Sequence, residues 1–225
     1  EAEVEYENHT SPSIYVKFPL LNPEMLKLDT PAAPGKISFV IWTTTPWTLQ
    51  ANLALALGPD FEYVALKCDT EIFIVARELK NAFLKAIDFI GQPEELHAWT
   101  GKELAALKLS SEHPFMDRFS QVVLGEHVTL ETGTGVVHIA PGHGQEDYEI
   151  GKNYNLDILC PIDEAGRIMK GSLDANRYPE IKAWEGLFIK KADKQIVDFL
   201  FQKKFLLNEP GQTLTHSYTH CWRCK

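Results

Sequence analysis

The chain has no apolar run approaching the roughly 18 to 20 residues that a membrane span requires. Its Glu-rich N-terminus lacks the basic-then-apolar order of a secretory signal. Both absences predict a cytoplasmic protein with no membrane partner. Basic charge is also short, with 22 Lys and Arg against 31 Asp and Glu and a net charge of −9. That argues against a protein whose main task is gripping a nucleic-acid backbone, because phosphate neutralisation needs clustered cations. The best basic clusters, Lys190-Lys191 with Lys194 and Lys203-Lys204, read as solvated helix faces. There is no internal repeat, no low-complexity tract, no nucleophile elbow and no obvious Ser-His-Asp set.

Cysteine is scarce, with four residues. Cys68 and Cys160 stand alone in strand-like surroundings and read as small core residues in a reducing compartment. Cys221 and Cys224 have the Cys-x-x-Cys spacing of half a structural zinc site, which needs two further ligands to close a tetrahedron. His216 and His220 lie nearby as local candidates, and the favoured reading is an orphaned half-site.

What is present suits one large domain: 225 residues, 44% hydrophobic and 24% charged. Val4 to Leu20 is extended, and Leu21 to Gly35, carrying Pro23, Pro31 and Pro34, is a connecting loop. Phe61–Lys67 and Glu71–Ala76 predict a hairpin around Cys68-Asp69-Thr70. Glu78–Asp88 predicts a helix with Leu79, Phe83 and Ile87 on one face. Short strands are expected at Gln121–Leu124, Val128–Leu130 and Val136–Ala140, and at Ile158–Ile162 and Arg167–Met169 around a turn. A second helix is expected over Asp193–Lys204, with Ile196, Val197, Leu200 and Phe201 inward. The expected class is β-rich α+β, a closed β-barrel core decorated with peripheral helices. The expected organisation is an extended segment and connecting loop over 1–35, a domain over 36–208 and a closing segment over 209–225.

Two segments concentrate hydroxyls, glycines, histidine and carboxylate: Thr43-Thr44-Thr45-Pro46-Trp47-Thr48-Leu49, and Gly133-Thr134-Gly135-Val136-Val137-His138-Ile139-Ala140-Pro141-Gly142-His143-Gly144-Gln145-Glu146-Asp147. Strand-like runs, Lys36–Trp42 and Gly125–Leu130, precede them, so both read as polar loops at strand ends. Thr45 before Pro46 suits a helix N-cap. Asp147 suits a first helical turn, where a carboxylate is stabilised by the helix dipole. His138 in a strand is most simply a packed, hydrogen-bonded residue. Trp47 reads as core and Asn52 as a turn residue. Capping does not account for Thr43 and Thr44.

These segments resemble the editing domain inserted into isoleucyl-tRNA synthetase, and the resemblance runs over nearly the whole chain. Thr45, where relatives specific for valine or leucine typically carry arginine, and His138 are the isoleucyl pattern. The stretches Glu5-Tyr6 to Phe18 and Ser217-Tyr218 to Cys224 resemble the stalks that join the insertion to the synthetase body. The resemblance implies that Thr43, Thr44 and Thr45 face the misacylated adenosine and its attacking water. It makes Asp147 the holder of the α-ammonium and His138 the wall that admits valine and obstructs isoleucine. Trp47 would supply pocket surface, Asn52 a second polar contact and His143 a further substrate contact, while Glu146 would face solvent. The catalytic set is then Asp147, Thr44 and Thr45, acting on water with no cofactor. Zinc would enter at Cys221 and Cys224 only in the full-length enzyme, with a second Cys-x-x-Cys upstream of the insertion. The implied partners are the 3′ end of misacylated tRNA(Ile), valyl-adenylate and the rest of the synthetase, and a monomer is expected.

Two other readings compete. One is a tRNA-docking or scaffold insertion with a dead pocket, which the intact Thr-rich segment, His138 and Asp147 oppose. The other is a metallohydrolase using His138, His143 and Asp147, which lacks the compact i, i+4 histidine pair of helical zinc sites.

Overall fold

The computed structural model describes residues 4–28 and 36–222. Its strands and helices, in chain order, are β1 (Val4–Pro12), β2 (Ile14–Pro19), β3 (Ile37–Thr43), β4 (Ala54–Leu57), β5 (Glu62–Cys68), β6 (Glu71–Ala76), α1 (Lys80–Ala86), β7 (Glu94–Thr100), α2 (Gly101–Ala106), β8 (Ser110–Glu112), β9 (Phe119–Leu124), β10 (Val136–Ile139), α3 (Gln145–Asn153), α4 (Ile189–Gln202) and β11 (Thr213–Cys221).

The ladders form a five-stranded sheet ordered β2-β3-β6-β5-β7, a four-stranded sheet ordered β10-β4-β9-β8, and a separate β1-β11 pair. Both larger sheets are mixed, because β3 runs parallel to β6 and β4 parallel to β9. β3 and β4 are central strands and read as near-continuous apolar runs, as burial on both faces demands. The sheets meet at a Leu20–Ser111 bridge on one side. On the other, Thr134 donates its hydroxyl to Val40 O at 2.6 Å and accepts at its carbonyl from Ala76 N at 2.8 Å. Among the described residues these are local links between two sheets, where the sequence predicted one closed barrel. The main core lies between the sheets and under α4, and includes Phe18, Phe39, Leu49, Leu55, Tyr63, Phe115, Trp184 and Phe199.

β1 and β11 pair antiparallel from Val4 opposite Cys221 to Pro12 opposite Thr213, bringing the two ends of the chain together as a two-stranded ribbon. β2, which falls within the expected stalk segment, pairs instead with β3 inside the five-stranded sheet. Part of the predicted connecting loop, 29–35, lies outside the described residues, as does Cys224.

Several local expectations change. Val128–Leu130 forms no strand, with a bend at Leu130. Ile158–Ile162 and Arg167–Met169 meet only through an Ile162–Ile168 bridge. Cys68 is buried, but Cys160 is exposed. The second helix begins at Ile189, four residues before Asp193, and buries Phe199 while Phe201 is 48% exposed. That start turns Asp193 from a helix-opening residue into an inward-facing one.

Candidate active site at the ends of β3 and β10

The Thr-rich loop leaves β3 and the His- and Gly-rich loop comes after β10. The two line one cavity of about 460 Å³ with Trp42, Thr43, Thr44, Thr45, Trp47, Thr48, Val137, His138, Ala140, His143 and Asp147. Seven of the eight residues expected at a substrate site are thereby brought together. Asn52 is the exception. It is fully buried, donates Nδ2 to Ala54 O at 2.9 Å and accepts the Ser120 hydroxyl on Oδ1 at 2.5 Å. Both ends of its amide are committed to joining the start of β4 to β9, so it serves the sheet and not the cavity.

The threonines divide by role. Thr43 is buried, and its hydroxyl accepts from Thr45 N at 3.0 Å, closing the turn out of β3. Thr45 precedes a 3-10 turn over Pro46–Ala51, but its side chain makes no capping bond. The predicted Thr45 cap is therefore absent. The first available donor, Trp47 N, goes instead to Asp193 Oδ1 on α4 at 3.0 Å. At the far end of the turn His113 Nε2 donates to Leu49 O at 2.8 Å, and Arg118 donates to Gln50 O. Thr44 and Thr45 are left partly exposed at the cavity wall.

His138 is fixed by Thr48. The Thr48 hydroxyl donates to Thr45 O at 2.8 Å, so at 3.2 Å from His138 Nε2 its oxygen can only accept. The network therefore assigns the proton of His138 to Nε2. Nδ1 is buried and has no hydrogen-bond partner among the described residues. Burial, reinforced by neighbouring His143, pushes the His138 pKa down to about 4. The ring is neutral near pH 7, with its Nε2–H committed to Thr48 and its Nδ1 buried. His143 stands edge to face with Trp47, ring centroids 5.0 Å apart, and burial lowers its pKa too.

Asp147 lies in the first turn of α3, after Gly144. Its Oδ2 accepts from Ala140 N at 2.8 Å, which folds the loop between them back on itself. A Cβ at Gly142 would meet Leu159 O at 2.1 Å, so this loop packs too tightly against 159–160 for any larger residue. Burial raises the Asp147 pKa above the ordinary aspartate value, and the bond from Ala140 partly offsets this. The second carboxylate oxygen has no hydrogen bond among the described residues. A carboxylate so placed, with one oxygen anchored, suits a cationic ligand group. Glu146 beside it is exposed.

Asp193, His113 and Arg118 carry no signal in the sequence, because each acts on backbone atoms from far along the chain. His113 is fully buried, accepts Phe115 N and Met116 N on Nδ1, and is therefore the Nε2–H tautomer toward Leu49. Among the described residues no three His, Cys, Asp or Glu side chains converge in a metal-ligating arrangement. His138, His143 and Asp147 thus share a cavity without forming a ligand set. Cys221 is exposed at the end of β11.

No family model matches the chain. The whole chain aligns with isoleucine–tRNA ligases, at 47% identity with that of Fervidobacterium pennivorans, 45% with that of Nitratidesulfovibrio vulgaris and 43% with that of Caldicellulosiruptor bescii. The chain belongs to the isoleucine–tRNA ligase family. It spans 22 to 23% of the length of these relatives, so it corresponds to a segment of the ligase. In fold it is similar to the crystal structure of GlLeuRS-CP1, with a TM-score of 0.63 at 16% identity over 87% of this chain and 98% of that one. The isoleucine–tRNA ligase segment thus carries a fold already seen in a separate solved domain. Among its described residues no helix is long and apolar enough to cross a membrane.

Proposed function

We propose that the chain is the proofreading domain of an isoleucine–tRNA ligase and hydrolyses valine from misacylated tRNA(Ile). The observation that carries the proposal is the convergence of Thr44, Thr45, His138 and Asp147 on one cavity from two loops about 90 residues apart. The need for such a site is quantitative. One methylene in an apolar pocket is worth only about 1–3 kcal/mol of discrimination, a figure known from isoleucyl-tRNA synthetase itself, so valine errors require a second, smaller sieve.

In this reading Asp147 holds the α-ammonium of the valyl group, and the Thr44 and Thr45 hydroxyls orient a water. The water attacks the ester carbonyl carbon and the bond to the ribose oxygen breaks; one of the water's protons goes to that oxygen and the other to solvent as valine leaves as its carboxylate. An aminoacyl ester is already activated, so positioning supplies most of the acceleration and no covalent intermediate is needed. Trp47 and His143 shape the side-chain pocket, and His138 closes it against the extra methylene of isoleucine.

The net charge of −9 leaves most of the tRNA grip to the rest of the ligase, with the 3′ end delivered past the β1-β11 ribbon. Valyl-adenylate is a second substrate of the same pocket. The setting is cytoplasmic. The two sheets, linked at Leu20–Ser111 and through Thr134, act as a distorted barrel that holds both loops at one end. Zinc at Cys221 and Cys224 would require ligands from elsewhere in the ligase.

The test is Asp147→Ala in the full-length ligase, assayed on valyl-tRNA(Ile). A charge-assisted bond to the ammonium is worth about 1.5–3 kcal/mol, so deacylation should fall at least tenfold, by roughly the same arithmetic, with the fold intact. Deacylation at the parent rate would overturn the assignment.

A further inference from the structure

Resting on that editing reading, we infer that Asp193, on α4 and outside both motif loops, is a positioning residue for proofreading: its carboxylate fixes the turn that sets His138 and the hydroxyl loop against the cavity. The Pro46–Ala51 turn lacks a side-chain cap of its own. Pro46 has no N–H, so Trp47 offers its first donor, and Asp193 takes that donor from 146 residues away at 3.0 Å.

The setting makes a purely stabilising role a poor account. Asp193 is 6% exposed on a helix face whose other buried members are Ala192, Ile196, Val197, Phe199 and Leu200. Burial pushes its pKa up to about 6, against the opposing pull of the Trp47 bond and Lys190. A buried carboxylate held by one backbone N–H costs desolvation that an apolar side chain would avoid. Its benefit is register. With an acceptor at the N-terminal end and His113 and Arg118 donating to carbonyls at the other, the turn is held in the polarity its peptide dipoles favour.

Holding the turn matters because Thr48 is the residue next to Trp47. The Thr48 hydroxyl bonds Thr45 O, and its oxygen takes the Nε2 proton of His138. Asp193 thus reaches the sieve wall through Trp47 and Thr48, without touching substrate. Loosening the turn should impair water orientation and relax the exclusion of isoleucine together.

The experiment compares Asp193→Ala and Asp193→Asn in the full-length ligase, on valyl-tRNA(Ile) and isoleucyl-tRNA(Ile). Asparagine keeps an oxygen acceptor for Trp47 N, and alanine removes it. The Ala variant should lose roughly ten- to a hundredfold in kcat on the valyl ester, with a smaller change in KM, and should hydrolyse the isoleucyl ester faster relative to the valyl ester. The Asn variant should return both the rate and the ratio toward the parent. The ratio is the deciding readout, since a loss of folded enzyme scales both rates equally. An unchanged ratio in the Ala variant, or an Asn variant as defective as Ala, would overturn the role while leaving the editing reading in place. If Asp193→Ala does not fold, an Asn variant with lowered valyl activity and a shifted ratio would overturn it equally, and one with parental values would support it. A parent ligase that hydrolyses neither ester would overturn the editing reading, and this inference with it.

Discussion

Thr48 and His138 are bonded across the cavity wall at 3.2 Å, and the direction of that bond is settled by a third atom, Thr45 O, which takes the Thr48 hydroxyl proton at 2.8 Å. The imidazole is consequently held by its Nε2–H, and its orientation depends on a turn belonging to the other loop. His138 and the hydroxyl loop are one hydrogen-bonded unit.

Thr48→Val keeps the shape and removes the acceptor. A buried Nε2–H left without a partner costs about 1–3 kcal/mol, which for a chain of this size lowers the melting temperature by roughly 2–4 °C per kcal/mol. The freed ring should also admit isoleucine in part. Thermal unfolding and deacylation of both esters check this, and a variant with the parental ester ratio would show that Thr48 does not set the wall.

His138→Ala should enlarge the pocket. Isoleucyl-tRNA(Ile), which the proposed sieve excludes, would then be hydrolysed along with valyl-tRNA(Ile), because the methylene being excluded is worth only about 1–3 kcal/mol and one wall decides it. A general base at this position would give the reverse, with valyl hydrolysis lost and nothing gained on the isoleucyl ester. Assaying both esters with the one variant separates sieve from catalyst.

The 225-residue chain purified by itself should carry less than one zinc per molecule. Two thiolates cannot close a tetrahedral site, and binding free energy falls steeply when ligands are missing. Metal analysis at neutral pH checks this. Stoichiometric zinc would point to His216 or His220 as local ligands.

The two loops were legible in the sequence because their chemistry is contiguous: three threonines in a row, or histidine, glycine and aspartate within ten residues. The hairpin of β5 and β6 was legible for the same reason, since alternation and turn residues are local. β4 was not, because Ala54-Leu55-Ala56-Leu57 uses residues that favour helices and becomes a strand only through β9 and β10 on either side. α2 is too short to show a helical apolar period, and only the capping box Thr100-Gly101-Lys102-Glu103 marks its start. Asn52 showed the opposite failure. The resemblance implied a ligand contact, whereas its buried amide bonds Ala54 O and the Ser120 hydroxyl. Asp193, His113 and Arg118 could not be found by spacing, since they recognise backbone groups that only the folded turn presents.

Two of these groups also make opposing contributions to the pH dependence of stability. Asp193 has its folded pKa raised to about 6, so between roughly pH 4 and 6 the folded state holds more protons than the unfolded one, and this group's contribution is lost as pH rises through that window. His138 has its folded pKa lowered to about 4, against an ordinary value near 6.5, so over roughly pH 4 to 6.5 the folded state holds fewer protons and stability rises with pH. The parent chain should therefore show a shallow stability profile across this range from these two groups together. Removing the imidazole in His138→Ala takes away its share of the rising slope and leaves that of Asp193 in place. Denaturant unfolding of parent and variant at pH 4.5 and 6, values spanning roughly that window, should show the parent gaining stability relative to the variant as pH rises, by up to about 1.4 kcal/mol per pH unit. A difference that stays constant with pH would mean that His138 titrates normally in the folded chain. That outcome would also remove the argument that its ring is a neutral wall near pH 7.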